Sequence, residues 1–154
     1  YRKKILFYPG DKPLRTHEGV KALHECVREI KKQVPLPLLY PREGLSRAAS
    51  DHARDQSRTG ATGHRGADGS GFRDRIERYG NWNVRIAENI AYGGTTAQQV
   101  VIYLLIDDGI PGRGHRINFL TPHFKTIGVA TEDHPGYTAV TVMDFAGSFK
   151  TASP

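Results

Sequence analysis

The stretch Val84-Arg85-Ile86-Ala87-Glu88-Asn89-Ile90-Ala91-Tyr92 decides how this chain is read. Its residues alternate as a strand requires, with Val84, Ile86, Glu88, Ile90 and Tyr92 on one face. Glu88 thus falls on an apolar face, where an unpartnered carboxylate is costly and takes up a proton instead. A histidine, an arginine, backbone amides or a metal ion must compensate it, unless a bulge turns it outward.

Downstream, Gly93-Gly94 breaks the strand, and Thr96 with Gln99 fits the capping box that starts a helix. That helix carries Ala97, Val100, Val101, Leu104 and Leu105 on one stripe and Ile102, Tyr103 and Ile106 elsewhere. Apolar nearly all round, it is expected to be sandwiched or to line a cleft. Asp107 to Gly114 reads as a Gly/Pro loop leading to His115. Thr126–Thr131 and Tyr137–Phe145 read as strands joined by the turn signal Asp133-His134-Pro135-Gly136. The last of these is apolar on both faces, so it is expected to be central and covered twice.

Upstream, Ile5-Leu6-Phe7-Tyr8 in a basic lead-in is either a short strand or a clamp on the domain. Thr16 is placed to cap a helix with the stripe Val20, Leu23, Val27, Ile30 and Val34, ended by Pro35 and Pro37. A second helix carries Leu45, Ala48, Ala49, His52, Ala53 and Gln56 on one face, its alanines permitting close packing. The loop Thr59–Gly71 holds five glycines around His64 and is either floppy or lets the backbone approach something closely. Ser70 is expected to cap a third helix with Phe72, Ile76 and Tyr79 inward, stopping at Gly80. Helices early and strands late give an α+β layered sandwich.

At 154 residues the chain suits one domain. Its single cysteine, Cys26, excludes an internal disulfide framework and a Cys-rich zinc site. Cys26 falls outside its helix stripe and has no nearby activating signal. The longest apolar run, Val100 to Ile106, is far short of the ~20 residues that span a bilayer, so no transmembrane segment is expected. No signal peptide opens the chain, and Tyr1 points to a processed or trimmed form. The net charge of +6 lies entirely in the first half: residues 1–80 carry 17 Lys/Arg against 10 Asp/Glu, residues 81–154 carry 5 against 6. A solvated basic helical surface accounts for that split.

His64 and His115 are both expected in glycine-flanked loops, too far apart in sequence for any local ligand spacing to mark them. His52, on a buried stripe, reads as a core histidine; His123 and His134 are expected to be exposed. No Gly-x-Ser-x-Gly elbow, His-Glu-x-x-His helix or P-loop is present.

The segments Gly63-His64-Arg65-Gly66-Ala67-Asp68-Gly69-Ser70, Ala87-Glu88-Asn89-Ile90-Ala91-Tyr92-Gly93, Gly114-His115-Arg116-Ile117-Asn118-Phe119-Leu120 and Thr126-Ile127-Gly128-Val129-Ala130 occur in that order. With the Leu45–Ala53 helix, they resemble the CAP superfamily (cysteine-rich secretory, antigen 5 and pathogenesis-related proteins, the SCP-like domain) in its disulfide-poor bacterial form. The resemblance covers residues 16–149, leaving 1–15 as a lead-in and 150–154 as a tail. It implies a three-layer α-β-α sandwich with a central, mainly antiparallel sheet, and a secreted protein, extracellular or periplasmic. It also implies a cleft in which His64, His115 and Glu88 hold a divalent metal such as zinc. Asn89, Arg116 and Asn118 are then expected to support those ligands by hydrogen bonds. Many members carry a Trp on the helix before the second histidine and a second acid; here Trp is absent, and Asp107 or Asp108 is the candidate stand-in.

Three functions follow. The first is a metal-lined cleft that binds a ligand or partner, a lipid or cell-envelope component among them, without turnover. The second is a metal-dependent hydrolase of peptidase or esterase type, with Glu88, Asp107 or Asp108 as catalytic candidates. The third is binding of a polyanion by the basic first half, with nucleic acid disfavoured because aromatic interleaving is missing. A monomer is expected.

Overall fold

The computed structural model describes residues 1–7, 13–94 and 96–153, so Tyr8 of the lead-in patch lies outside the described residues. In chain order the elements are β1 (Ile5–Leu6), β2 (Leu14–Arg15), α1 (Val20–Lys32), β3 (Tyr40–Pro41), α2 (Glu43–Thr59), α3 (Phe72–Glu77), β4 (Gly80–Tyr92), α4 (Ala97–Ile106), α5 (Gly114–Leu120), β5 (Thr126–His134) and β6 (Thr138–Thr151). They sort into two compact units, one from residues 1–35 and 95–120, the other from 36–94 and 121–154.

In the first unit the lead-in patch is a strand: β1 pairs antiparallel with β2. Thr16 does not cap α1. Its hydroxyl donates to the Lys4 carbonyl at 2.6 Å, and the free amides before the helix, those of His17 and Glu18, are met by the Asp108 carboxylate at 2.7 and 2.9 Å. The stripe read on α1 is also corrected. Val20, Val27 and Ile30 are exposed, Val34 lies beyond the helix end, and the buried residues are Ala22 and Cys26.

The cause of that rotation is a pair of buried arginines. Arg116 bonds Glu25 and Glu29 on α1, together with the Leu105 and Ile106 carbonyls at the end of α4. Arg113 bonds Glu18 and Glu25. A buried guanidinium without a carboxylate costs several kcal/mol, whereas burying one valine recovers about 1.5–3 kcal/mol. The acids of α1 therefore turn toward the arginines and its valines outward.

The capping box of α4 forms as read: the Gln99 amide donates to Thr96 Oγ1 at 3.2 Å and the Thr96 amide to Gln99 Oε1 at 3.1 Å. No residue from Gln99 to Ile106 is exposed, as its all-round apolarity requires. His115 is not on a loop but in the first turn of α5. Seven residues are too few to show helical periodicity in sequence, and the turn is stabilised by a remote cap, the His115 amide donating to Asp107 Oδ2 at 3.0 Å.

In the second unit the sheet order is β3-β5-β6-β4. β4 and β5 both run antiparallel to β6, and only the short β3 is parallel to its neighbour β5. β6 is central and buried on both faces from Val140 to Gly147, as its sequence required. β4 starts four residues earlier than expected and bulges between Asn83 and Ile86, where Val84 adopts φ 73° and leaves the apolar face for solvent. Beyond the bulge, Ile86, Glu88 and Ile90 keep the alternation.

All six stripe residues of α2 are buried. Its closest approach to the sheet is at Gly128 of β5, where a Cβ would stand 2.1 Å from the Leu45 and Ser46 backbone. Gly60 ends α2 in the left-handed conformation, φ 71°, which glycine takes without penalty. α3 starts from Gly71 rather than Ser70: the Gly71 amide donates to Asp74 Oδ2 at 2.8 Å, and the Ser70 carbonyl is engaged elsewhere. Ile76 of α3 joins Leu45, Ala48, Ala146 and Phe149 in one core cluster, with Phe72 and Tyr79 packed against it. His134 is buried, not exposed. Its Nε2 donates to the Ala61 carbonyl at 3.0 Å, its Nδ1 accepts the Gly136 amide, and its ring packs against Tyr92 and Tyr137.

Candidate functional site

The glycine-rich loop after α2 is held, not floppy. The Gly63 carbonyl accepts from His52 Nε2 at 2.8 Å and Gln56 Nε2 at 2.6 Å, while the Gly63 amide donates to the Tyr92 hydroxyl at 2.7 Å. The Ala67 amide donates to Asp55 Oδ2. His52 is therefore the core histidine its stripe indicated, and burial pushes its imidazole toward the neutral form. These ties fix the segment that presents His64.

His64 Nδ1 donates to Glu88 Oε1 at 2.8 Å. The other partner of Glu88 is Arg75 on α3, one nitrogen of which reaches Oε1 at 3.0 Å and Oε2 at 2.8 Å. Arg75 also donates to the carbonyls of Ser70 and His64, joining the loop to the sheet. Both members of this ion pair are inside the protein, the side chains 2% and 0% exposed. Burial alone pushes the Glu88 carboxyl up, but the His64 hydrogen bond and Arg75 outweigh it, and the acid stays below its ordinary range. The compensation demanded by the sequence pattern is an arginine and a histidine together.

Directly across from Glu88 in the sheet stands Asp144 of β6, fully buried. Neither of its oxygens has a hydrogen-bond donor among the described groups. Burial and the adjacent Glu88 charge raise the Asp144 carboxyl well above its usual value. A proton kept on Asp144 turns a repulsion between carboxylates into a hydrogen bond to Glu88, the way a carboxyl dyad shares one proton.

The sign for stability follows from that raised value. Asp144 contributes most below about pH 4, the unfolded-state value, and loses its contribution as pH rises toward the folded-state value. Asp144→Asn removes this loss while keeping the shape and a donor. The variant is expected to match wild type near pH 4 and to exceed it by about 1–3 kcal/mol at pH 7–8. Urea unfolding at the two pH values measures this; a variant less stable than wild type at pH 8 would show that Asp144 is ionised in the fold.

The sequence did not mark Arg75 or Asp144. Both left a signal: Arg75 adjoins Ile76 on the inward stripe of α3, and Asp144 interrupts an otherwise apolar strand between Met143 and Phe145.

In the first unit, His115 repeats the motif. Its Nδ1 donates to Asp107 Oδ1 at 2.7 Å, and Asp107 is buried. Asp108 is committed to the start of α1. Of the predicted supporting residues, Arg116 anchors α5 to α4 and α1, Asn118 is half-buried on α5, and Asn89 is buried on β4. The structure thus brings together His64 with Glu88 and His115 with Asp107. Among the described residues no group of three or more His, Cys, Asp or Glu side chains is arranged to hold a metal ion.

The sheet is mainly antiparallel, and His64 and His115, each at a glycine-flanked position, are each backed by a carboxylate. The chain belongs to the cysteine-rich secretory protein (CAP) family, whose pattern it matches over residues 14–145. Its fold is similar to that of an extracellular protein containing an SCP domain from Bacillus anthracis, at 22% identity and a TM-score of 0.61. That match covers 78% of this chain but only 36% of the Bacillus protein, so the chain spans about a third of that relative. It is also similar to an outer surface protein from Borrelia burgdorferi, at 20% identity and a TM-score of 0.59, covering 86% of this chain and 92% of the other. These SCP-like structures have the α-β-α sandwich that the sequence resemblance implied. A search of curated proteins finds no significant match. No helix among the described residues is long and apolar enough to cross a membrane.

Proposed function

We propose that this CAP domain works outside the cytoplasm, in the extracellular space or periplasm, as a binding module. In this reading His64 presents a ring nitrogen to a divalent metal such as zinc and to a ligand, without turnover. One observation carries it: the 2.8 Å bond from His64 Nδ1 to a Glu88 locked by Arg75. A carboxylate behind Nδ1 orients the ring and turns Nε2 outward, the way metal-binding imidazoles are held. The His64 ring is half-exposed, so that nitrogen is accessible. His115 on Asp107 has the same chemistry.

Glu88 fits this arrangement as the group that orients the imidazole. Both its oxygens are already occupied by Arg75 and His64, which leaves it poorly suited to bind the metal itself. The same occupancy favours binding over hydrolysis. A general base must be free to take a proton from water, whereas Asp107 is bonded to His115 and Asp108 accepts the His17 and Glu18 amides. The Bacillus and Borrelia proteins, extracellular and outer-surface, support the location.

Zinc titration calorimetry on the full chain tests the reading. His64→Ala is expected to weaken binding about a hundredfold or more, and Glu88→Gln about 10–100-fold through lost orientation. Wild-type stoichiometry and affinity in His64→Ala would refute it.

A further inference from the structure

The face of α1 that the sequence marked for the core is turned to solvent. Val20, Val27 and Ile30 are 43%, 40% and 43% exposed, and Val34 follows just past the helix end at 73%. At 3.6 residues per turn the three helical residues share a stripe roughly 80° wide, with half-buried Leu23 inside it. Along one flank run Lys31, His24, Arg28, Lys21 and Lys32, all exposed. The two acids of α1, Glu25 and Glu29, lie beyond that flank, opposite the apolar stripe, and are bound to Arg113 and Arg116. The outward surface of α1 therefore pairs an apolar stripe with a basic flank.

We propose that this face of α1 docks on an anionic lipid surface, with Val20, Val27 and Ile30 at the acyl boundary and the lysines and arginine at the headgroups. The chemistry selects that partner. A soluble polyanion would satisfy the cations and leave the valines in water; an apolar protein groove would satisfy the valines and leave the cations without partners. A second copy in an antiparallel two-fold contact would set basic flank against basic flank. An anionic bilayer interface meets both halves of the surface at once. Each lysine or arginine near such a surface strengthens binding about fivefold, so the four together supply several hundredfold at low salt. The proposal is independent of the metal reading, since it uses no residue of that site.

Flotation of the full chain with vesicles tests it, using phosphatidylcholine alone and phosphatidylcholine with one quarter phosphatidylglycerol. Binding to the anionic vesicles is expected to exceed binding to neutral ones by about a hundredfold and to fall steeply with salt. Val27→Glu/Ile30→Glu changes only exposed positions, and is expected to keep the wild-type melting curve and lose at least about tenfold of the vesicle binding. No binding to anionic vesicles overturns the proposal. Binding unchanged in the double variant also overturns it, because cations alone would then suffice. A concentration-dependent dimer in sedimentation velocity, abolished by the double variant, overturns it in favour of self-association.

Discussion

Arg75→Ala is expected to lower stability by about 3–5 kcal/mol, the usual cost of leaving a buried charge without its partner. For a chain this long that corresponds to a fall in Tm of roughly 10 °C. The effect is large because one guanidinium serves four acceptors: both Glu88 oxygens and the carbonyls of Ser70 and His64. Without it, the Glu88 charge rests on His64 and the Asp144 proton alone. The loss should depend on pH in a definite direction. Glu88 is held below its ordinary value, so its contribution is present above about pH 4.5 and fades as pH falls through the folded-state value. The gap between wild type and Arg75→Ala should accordingly narrow toward pH 3.5. Adding Glu88→Gln to the variant removes the orphaned charge and is expected to restore about 1–2 kcal/mol. Urea unfolding of the three proteins at pH 7 and pH 3.5 checks each part. A single-variant loss under about 1 kcal/mol would mean that Glu88 does not depend on Arg75.

Gly128→Ala is expected to cost about 3 kcal/mol or more, at the upper end of overpacking effects. The added methyl meets the Leu45 carbonyl carbon and the Ser46 nitrogen at 2.1 Å, and these are backbone atoms of a helix whose buried face seats on the sheet. No rotamer relieves such a clash; α2 must move away from β5. Since α2 carries His52 and Gln56, which hold Gly63, the displacement is expected also to loosen the loop that presents His64. Gly112→Ala supplies the control, because nothing lies within 4 Å of its Cβ position. That change should stay within about 0.5 kcal/mol of wild type. Denaturant midpoints compare the two directly, and equal midpoints would show that α2 rides higher on the sheet than 2.1 Å implies.

The elements legible in sequence were those with a strong local period or a local cap. The six-residue face of α2 and the Thr96–Gln99 box depend on residues a few positions apart. So does the two-faced burial of β6, and each is present as read. Glu88 was legible as an anomaly for the same reason, as a charge set into an apolar alternation. Elsewhere local and tertiary preferences diverged. Val20, Val27 and Ile30 form a sound helical stripe, yet Arg113 and Arg116, almost ninety residues on, draw Glu25 and Glu29 toward them and reverse the helix. Ser70 is a good cap residue, but Asp74 takes the role and the Ser70 carbonyl serves Arg75.

Sequence alone thus determined the α+β class, the central strand, and the need for a partner at Glu88, because each is written in spacings of two to four residues. Only the tertiary structure decided what that partner is. Arg75 reaches Glu88 from 13 residues away, His64 from 24, and Asp144 through a cross-strand register. A buried charge accepts any partner of the right sign that the fold brings within hydrogen-bonding distance, and that proximity is a property of the packed chain.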